Sequence, residues 1–265
     1  MIEDTIILLG YPRSGNTWLR YIIECLYNKP TVGPPNLNND GTPIIDKTLN
    51  SVIGYNFPDD ITIKKIKCMI HCHLIDVVPP RSRKLKLNDN NLPPMIFVLR
   101  DYKDCVYRQA ITHGRSRYSN KNLSEKDILT LYKSGLYSQI QQGGYIPTLK
   151  YFHNYKGKKM LIKYEDLMDD ESGIQKVLQN LNIFLEVENN DNIIKFLDKI
   201  DIHTQNSINN YQRYFVSNTK GKNKDFYKNI VSEEIFKKID KMVKNSHPTL
   251  FEKYLDSYEI GQSDD

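Results

Sequence analysis

Hydrophobic positions along this chain fall into two patterns. Ile6-Ile7-Leu8-Leu9, Met95-Ile96-Phe97-Val98-Leu99 and the centre of Lys159-Met160-Leu161-Ile162-Lys163 are short apolar runs without alternation, the signature of parallel strands buried on both faces. A further run, Lys67 to Ile75, predicts a strand closed by Pro79-Pro80. Elsewhere apolar residues recur at helical spacing. One set is Leu19, Ile22, Ile23 and Leu26; a second is Val106, Tyr107, Ala110 and Ile111; a third is Ile128, Leu131, Tyr132, Leu136 and Ile140, with Ser124 as N-cap. Two more helices are predicted near Asp191 to Ile200 and from Ser232, as cap, to Lys244, with Glu233 and Glu234 in the first turn. The stretch from Pro30 to Asp60, rich in Pro, Asn and Gly, predicts loop with little regular structure. Strands and helices in this order predict an α/β fold. The expected organisation is a single domain over residues 1–258, with a central, mainly parallel sheet flanked by helices, and a disordered tail over 259–265.

Composition narrows the classes of function. The 265 residues carry a formal net charge of +5, a mild basic excess that suits an anionic ligand and falls short of a nucleic-acid-binding composition. Cys25, Cys68, Cys72 and Cys105 lie mostly inside predicted strands and helices rather than at framework spacing, which predicts reduced thiols and no disulfides. The first strand begins close to Met1, leaving no room for a signal peptide, and no apolar run approaches the ~20 residues of a membrane span. The expectation is a cytoplasmic protein without a membrane span.

The chemistry is concentrated between the first strand and the first helix, at Gly10-Tyr11-Pro12-Arg13-Ser14-Gly15-Asn16-Thr17. Two glycines five apart at this junction form an anion cradle, because backbone N–H groups and the positive end of the helix dipole face the ligand. The nucleotide-hydrolysing version of such a loop ends in Gly-Lys-Ser/Thr, its lysine reaching the outer phosphates and its hydroxyl holding magnesium. Here Asn16 takes the lysine position while Thr17 keeps the hydroxyl, and the cation sits earlier, at Arg13. That arrangement points to anion transfer without the NTPase apparatus. An ordinary glycine-containing turn of an α/β domain is the plain alternative.

The run Tyr11-Pro12-Arg13-Ser14-Gly15-Asn16-Thr17-Trp18 resembles the sulfate-donor loop of sulfotransferases that use 3′-phosphoadenosine 5′-phosphosulfate (PAPS), commonly Tyr-Pro-Lys-Ser-Gly-Thr-Thr-Trp in the cytosolic-type branch. Later segments are similar in order. Arg100, Lys103 and Asp104 match the family's 3′-phosphate segment, Arg-Asn-Pro-Lys-Asp, although Arg108 stands where that segment has a serine. Tyr164-Glu165-Asp166-Leu167 matches a run whose tyrosine contacts adenine. His203-Thr204 resembles an adenine-side His-Thr-x-Phe, with Asn206 for the phenylalanine. Lys220-Gly221 resembles the Arg-Lys-Gly element that closes over the 3′-phosphate, with Thr219 for the arginine.

The resemblance implies a P-loop-kinase-like topology and sulfuryl transfer from PAPS to an acceptor hydroxyl or amine, with 3′,5′-adenosine bisphosphate as product and no metal. It implies donor contacts from Arg13, Ser14, Gly15, Asn16, Thr17, Trp18, Arg100, Arg108, Tyr164, Thr204, Lys220 and Gly221. A family strand ending in Lys-Thr-His-Leu is similar to His71-Cys72-His73-Leu74, which implies His73 as the catalytic base and Arg13 as the group stabilising charge on the leaving phosphate. A structural histidine and a metal site of Cys68, His71, Cys72 and His73 compete with that assignment, but adjacent strand residues point to opposite faces, which sets Cys72 apart from the histidines. The acceptor is expected to be a small molecule or carbohydrate, with Leu37, Tyr55 and Phe57 as candidate pocket lining. A small-molecule kinase and a non-catalytic nucleotide sensor are the alternatives, while acceptor identity and oligomeric state stay open.

Overall fold

The computed structural model describes residues 6–11, 13–27, 31–32, 36–37, 43–44, 69–72, 92–112, 125–126, 129, 144–168, 171–187, 190–210 and 231–259. Five strands form the main sheet: β1 (Ile6–Gly10), β2 (Thr31–Val32), β5 (Met69–Cys72), β6 (Met95–Leu99) and β7 (Lys159–Lys163), in the order β2-β5-β1-β6-β7. Every pairing in it is parallel. A separate antiparallel pair joins β3 (Asn36–Leu37) to β4 (Pro43–Ile44). The segment read as loop from Pro30 to Asp60 therefore contributes three two-residue strands, of which β2 extends the sheet beside Met69 and Ile70. Edge strands this short leave no periodic pattern in a sequence.

Alternation along the buried strands sorts the core into two layers. Ile7, Leu9, Met95, Phe97 and Leu99 face one side, where they meet helix α2 (Tyr102–Thr112), the helix Tyr145–Asn154 and the helix Glu233–Ser246. Leu8, Ile96, Val98 and Ile162 face the other, covered by helix α1 (Asn16–Tyr27) and the helices Glu171–Leu185 and Asn190–Leu197. Apolar side chains on both faces are what a parallel sheet between two helical layers requires. Leu19, Ile22, Ile23 and Leu26 of α1 point inward as their spacing predicts, as do Val106 and Tyr107 of α2. The side chains of Ala110 and Ile111 lie outside the described residues, as does Ser124, although 125–126 and 129 are helical.

Four local expectations change. The helix Tyr145–Asn154, with Gly144 at its N-cap position, has no counterpart in the predicted elements; Pro147 falls in its first turn, where a missing N–H costs nothing. The helix Glu171–Leu185 was not anticipated, although Ile174, Leu178 and Leu181 on it are fully buried. His203 and Thr204 lie within a helix, Ile200–Asn210, instead of a connecting stretch. Ser232 occupies the N-cap position, but its side chain makes no cap hydrogen bond; its carbonyl accepts from the N–H groups of Ile235 and Phe236. Glu259, the first residue of the expected tail, pairs with Lys244 at 2.9 Å. Cys25 and Cys105 are free thiols, and burial pushes the Cys25 thiol up to about 11.

The order β2-β5-β1-β6-β7 places a switch point between β1 and β6. The chain leaves β1 for strands on one side and leaves β6 for β7 on the other. In open parallel sheets the crevice at the carboxyl ends of such a strand pair is where ligands bind. That crevice is bordered by the residues after Gly10 and by Arg100.

Candidate functional site

The β1–α1 connection is a strained cradle. Arg13 and Gly15 both have positive φ, 73° and 99°. Ser14 Oγ donates to the Tyr11 carbonyl at 2.7 Å, and Asn16 Nδ2 reaches the same oxygen at 3.3 Å. Both side chains are buried and hold the loop closed on itself. Asn16 thus spends its amide on the loop rather than presenting it outward as a lysine would. A Cβ on Gly10 would come within 2.3 Å of Asn16 Oδ1, so the tuck needs glycine there. Helix α1 starts at Asn16, and the N–H groups of a first helical turn have no partner within the helix, so they face the strand ends. Thr17 and Trp18 follow on the same turn. Trp18 donates from Nε1 to the Leu167 carbonyl at 3.4 Å and stacks on Tyr21 with ring centroids 5.6 Å apart.

The second wall is built from β6 and β7. Arg100, 8% exposed, donates from Nη1 to the Arg13 carbonyl at 3.1 Å and lies over the Tyr164 ring at 4.1 Å. Its own backbone is held by Tyr145, whose hydroxyl donates to the Arg100 carbonyl at 2.6 Å. The Tyr164 N–H donates to the Leu99 carbonyl at 2.7 Å, which ties the end of β7 to the end of β6. Tyr164 also closes on the cradle: a Cβ on Gly15 would fall 2.2 Å from its ring. Arg13, Gly15, Arg100 and Tyr164, far apart in the chain, therefore form one contiguous surface.

Helix α2 adds charge. Asp104 accepts from Arg100 Nη2 at 2.6 Å and from Arg108 Nε at 2.7 and 2.8 Å. Burial raises the Asp104 carboxyl above its ordinary range, opposed by the two arginines. Lys103, fully buried, turns away to Asp240 at 2.8 Å and to the Tyr258 carbonyl at 2.7 Å. Tyr258 donates in turn to Glu165 Oε2 at 2.7 Å, so the acidic residue after Tyr164 anchors the C-terminal segment. Burial raises the Glu165 carboxyl as well.

On the far side of Trp18, an aromatic group forms from residues distant in sequence. His203 stacks on Phe196 at 4.5 Å, and its Nδ1 lies 3.1 Å from the Tyr21 hydroxyl. Thr204 is half-buried beside it. Burial and then Lys199 lower the His203 pKa below its ordinary value. The sequence offered a cue for this group in the His203-Thr204 pair, but none for the partnership with Tyr21 and Phe196. Asp104 had a cue too, four residues from each of two arginines.

Several expected site residues lie outside the described residues: His73, Lys220 and Gly221, and the candidate pocket residues Tyr55 and Phe57. Strand β5 ends at Cys72, which pairs with Leu9, and His71 pairs with Leu8, so the predicted strand does adjoin β1. The metal alternative turns on Cys68, His71, Cys72 and His73, whose side chains are likewise not described.

Comparison with known proteins bears on this geometry. The family model described as "Sulfotransferase domain" matches residues 3–256. Two rat proteins, sulfotransferase 2A6 and sulfotransferase 2A1, are each 26% identical, over 79% of this chain and 70% of their own length. Among solved structures, mouse sulfotransferase SULT7A1 complexed with PAP aligns with a TM-score of 0.56 at 16% identity, covering 97% of this chain and 88% of the other. Retinol dehydratase in complex with retinol and PAP aligns with a TM-score of 0.57, also at 16% identity, over 92% and 81%. At such identities the structural likeness speaks for the fold.

Proposed function

Because the chain belongs to the sulfotransferase domain family, we propose that its crevice binds PAPS and that it moves the sulfuryl group to the hydroxyl or amine of a small-molecule or carbohydrate acceptor. The observation that carries this reading is the joining of the Gly15 cradle to Arg100 through Tyr164 and the Arg13 carbonyl. The residues present suit such a ligand: a helix N-terminus and glycine cradle for one phosphate, and two guanidinium groups bridged by Asp104 for a second.

When bound, PAPS supplies the activated sulfuryl group. The chain's own task is positioning and charge stabilisation, since in-line transfer of such a group needs little covalent help from the protein. Arg13 and the amides of Ser14, Gly15, Asn16 and Thr17 carry the charge growing on the 5′-phosphate. Arg100 and Arg108 hold the 3′-phosphate, with Lys220 and Gly221 closing over it. Tyr164, Trp18 and Thr204 flank the adenine. His73 removes the acceptor proton, a task suited to an imidazole with an ordinary pKa near 6.5. A cytoplasmic location, a domain ending at Tyr258 and operation without metal belong to the same reading.

Among the described residues no helix is long and apolar enough to cross a membrane. Calorimetry with 3′,5′-adenosine bisphosphate, and with ATP plus magnesium, tests the donor assignment. The expected result is tight, metal-independent bisphosphate binding; ATP binding that needs magnesium, with none for the bisphosphate, would favour a kinase. Turnover of His73→Ala on one acceptor then tests the base, with a loss of roughly 10²–10⁴-fold expected at unchanged bisphosphate affinity. A near-normal His73→Ala beside an inactive His71→Ala would exchange the two histidines.

A further inference from the structure

Arg100, Asp104 and Arg108 are spaced four residues apart, so the end of β6 and two successive turns of α2 present them on one face. Asp104 is 1% exposed, and both guanidinium groups reach it: Arg100 at 2.6 Å and Arg108 at 2.7 and 2.8 Å. The neighbouring buried cation, Lys103, pairs with Asp240 at 2.8 Å on the core side. A side chain gripped at two edges arrives with its rotamers already fixed, which removes part of the ordering cost of binding.

Resting on the donor-site reading above, we infer that Asp104 is a positioning residue for the anion: its shared carboxylate sets the two guanidinium groups in the register in which they jointly hold the 3′-phosphate. It touches neither donor nor acceptor and acts through Arg100 and Arg108. Arg100 is braced independently by the Arg13 carbonyl and the Tyr164 ring, whereas Asp104 supplies the described anchor of Arg108 to its own helix. Charge alone predicts the reverse of this role. Taking a negative charge away from the site would tighten a phosphate, while losing the register loosens it.

The test is the preference for 3′,5′-adenosine bisphosphate over adenosine 5′-monophosphate, which lacks the 3′-phosphate, measured by calorimetry on the full chain. Asp104→Glu keeps the charge and moves the carboxylate by one methylene. The preference is expected to fall about ten-fold or more, the scale of a lost charge-assisted contact, with monophosphate affinity nearly unchanged. An unchanged preference, or an equal loss for both nucleotides, overturns the inference. Should Asp104→Glu fail to fold, Asp104→Asn carries the test: a reduced preference supports positioning, and a kept or increased one shows that charge decides. A wild-type chain with no preference between the nucleotides fails at the donor site itself, and is thereby told apart from a failure at Asp104.

Discussion

The two junctions that face the crevice solve the same problem in different ways. On the proposed reading, the β1–α1 loop binds with backbone. Its side chains Ser14 and Asn16 are uncharged and turned onto the Tyr11 carbonyl, and its shape depends on glycine at position 15 with φ of 99°. On the same reading the β6–α2 junction binds with charge; it buries Arg100, Lys103, Asp104 and Arg108 at 8% exposure or less among ion pairs. A backbone site tolerates changes in what surrounds it but not in its own φ, because the N–H groups it offers exist at every residue. A charge site tolerates backbone variation but not the loss of one partner, because an uncompensated buried ion is costly.

Stability separates the two most sharply at Lys103, where the charge design is deepest in the core. Lys103→Ala leaves Asp240 buried against Tyr102 and should lower stability by about 3–5 kcal/mol in denaturant unfolding. Lys103→Met combined with Asp240→Leu should recover most of that loss; no recovery would mean that the pair is valued for contacts other than charge.

Next in size is the backbone design. Gly15→Ala should cost about 1–2 kcal/mol for the left-handed backbone, and about 1–3 more for the overlap with the Tyr164 ring. Adding Tyr164→Ala should return the second part and leave the first, as read by thermal unfolding of both variants.

Nucleotide binding brings the two designs onto one scale. Arg108→Ala should weaken the bisphosphate by about 1.5–3 kcal/mol while scarcely changing a ligand without the 3′-phosphate. Equal losses for both would place Arg108 with Lys103 as structure.

The smallest effect lies outside both junctions, at His203. Its folded pKa is lowered, chiefly by burial and then by Lys199, so the unfolded chain binds the proton first. Stability from this group is therefore present above the ordinary histidine value of 6.5 and is lost as pH falls through the lowered folded value. His203→Phe should flatten the pH dependence of unfolding over that range, and an unaltered slope would assign it to other groups.

The sequence alone determined the long buried strands and the glycine loop between β1 and α1. Each of these is written in local chemistry: unbroken apolar runs at Ile6 and Met95, glycines at 10 and 15, an arginine directly after a buried strand. It also held, unread, the spacing that puts Asp104 between Arg100 and Arg108, and the buried stripe of the helix Glu171–Leu185. Tertiary structure decided the rest, because the information lies in pairs of distant residues. That Asn16 turns inward follows from how closely Gly10 lets it approach, and that Tyr164 roofs Gly15 follows from β6 and β7 being neighbours. Which buried lysine or arginine serves structure and which serves the crevice is likewise invisible along the chain. Lys103 and Arg108 sit five residues apart on one helix, and only the tertiary structure pairs the first with Asp240 and the second with Asp104.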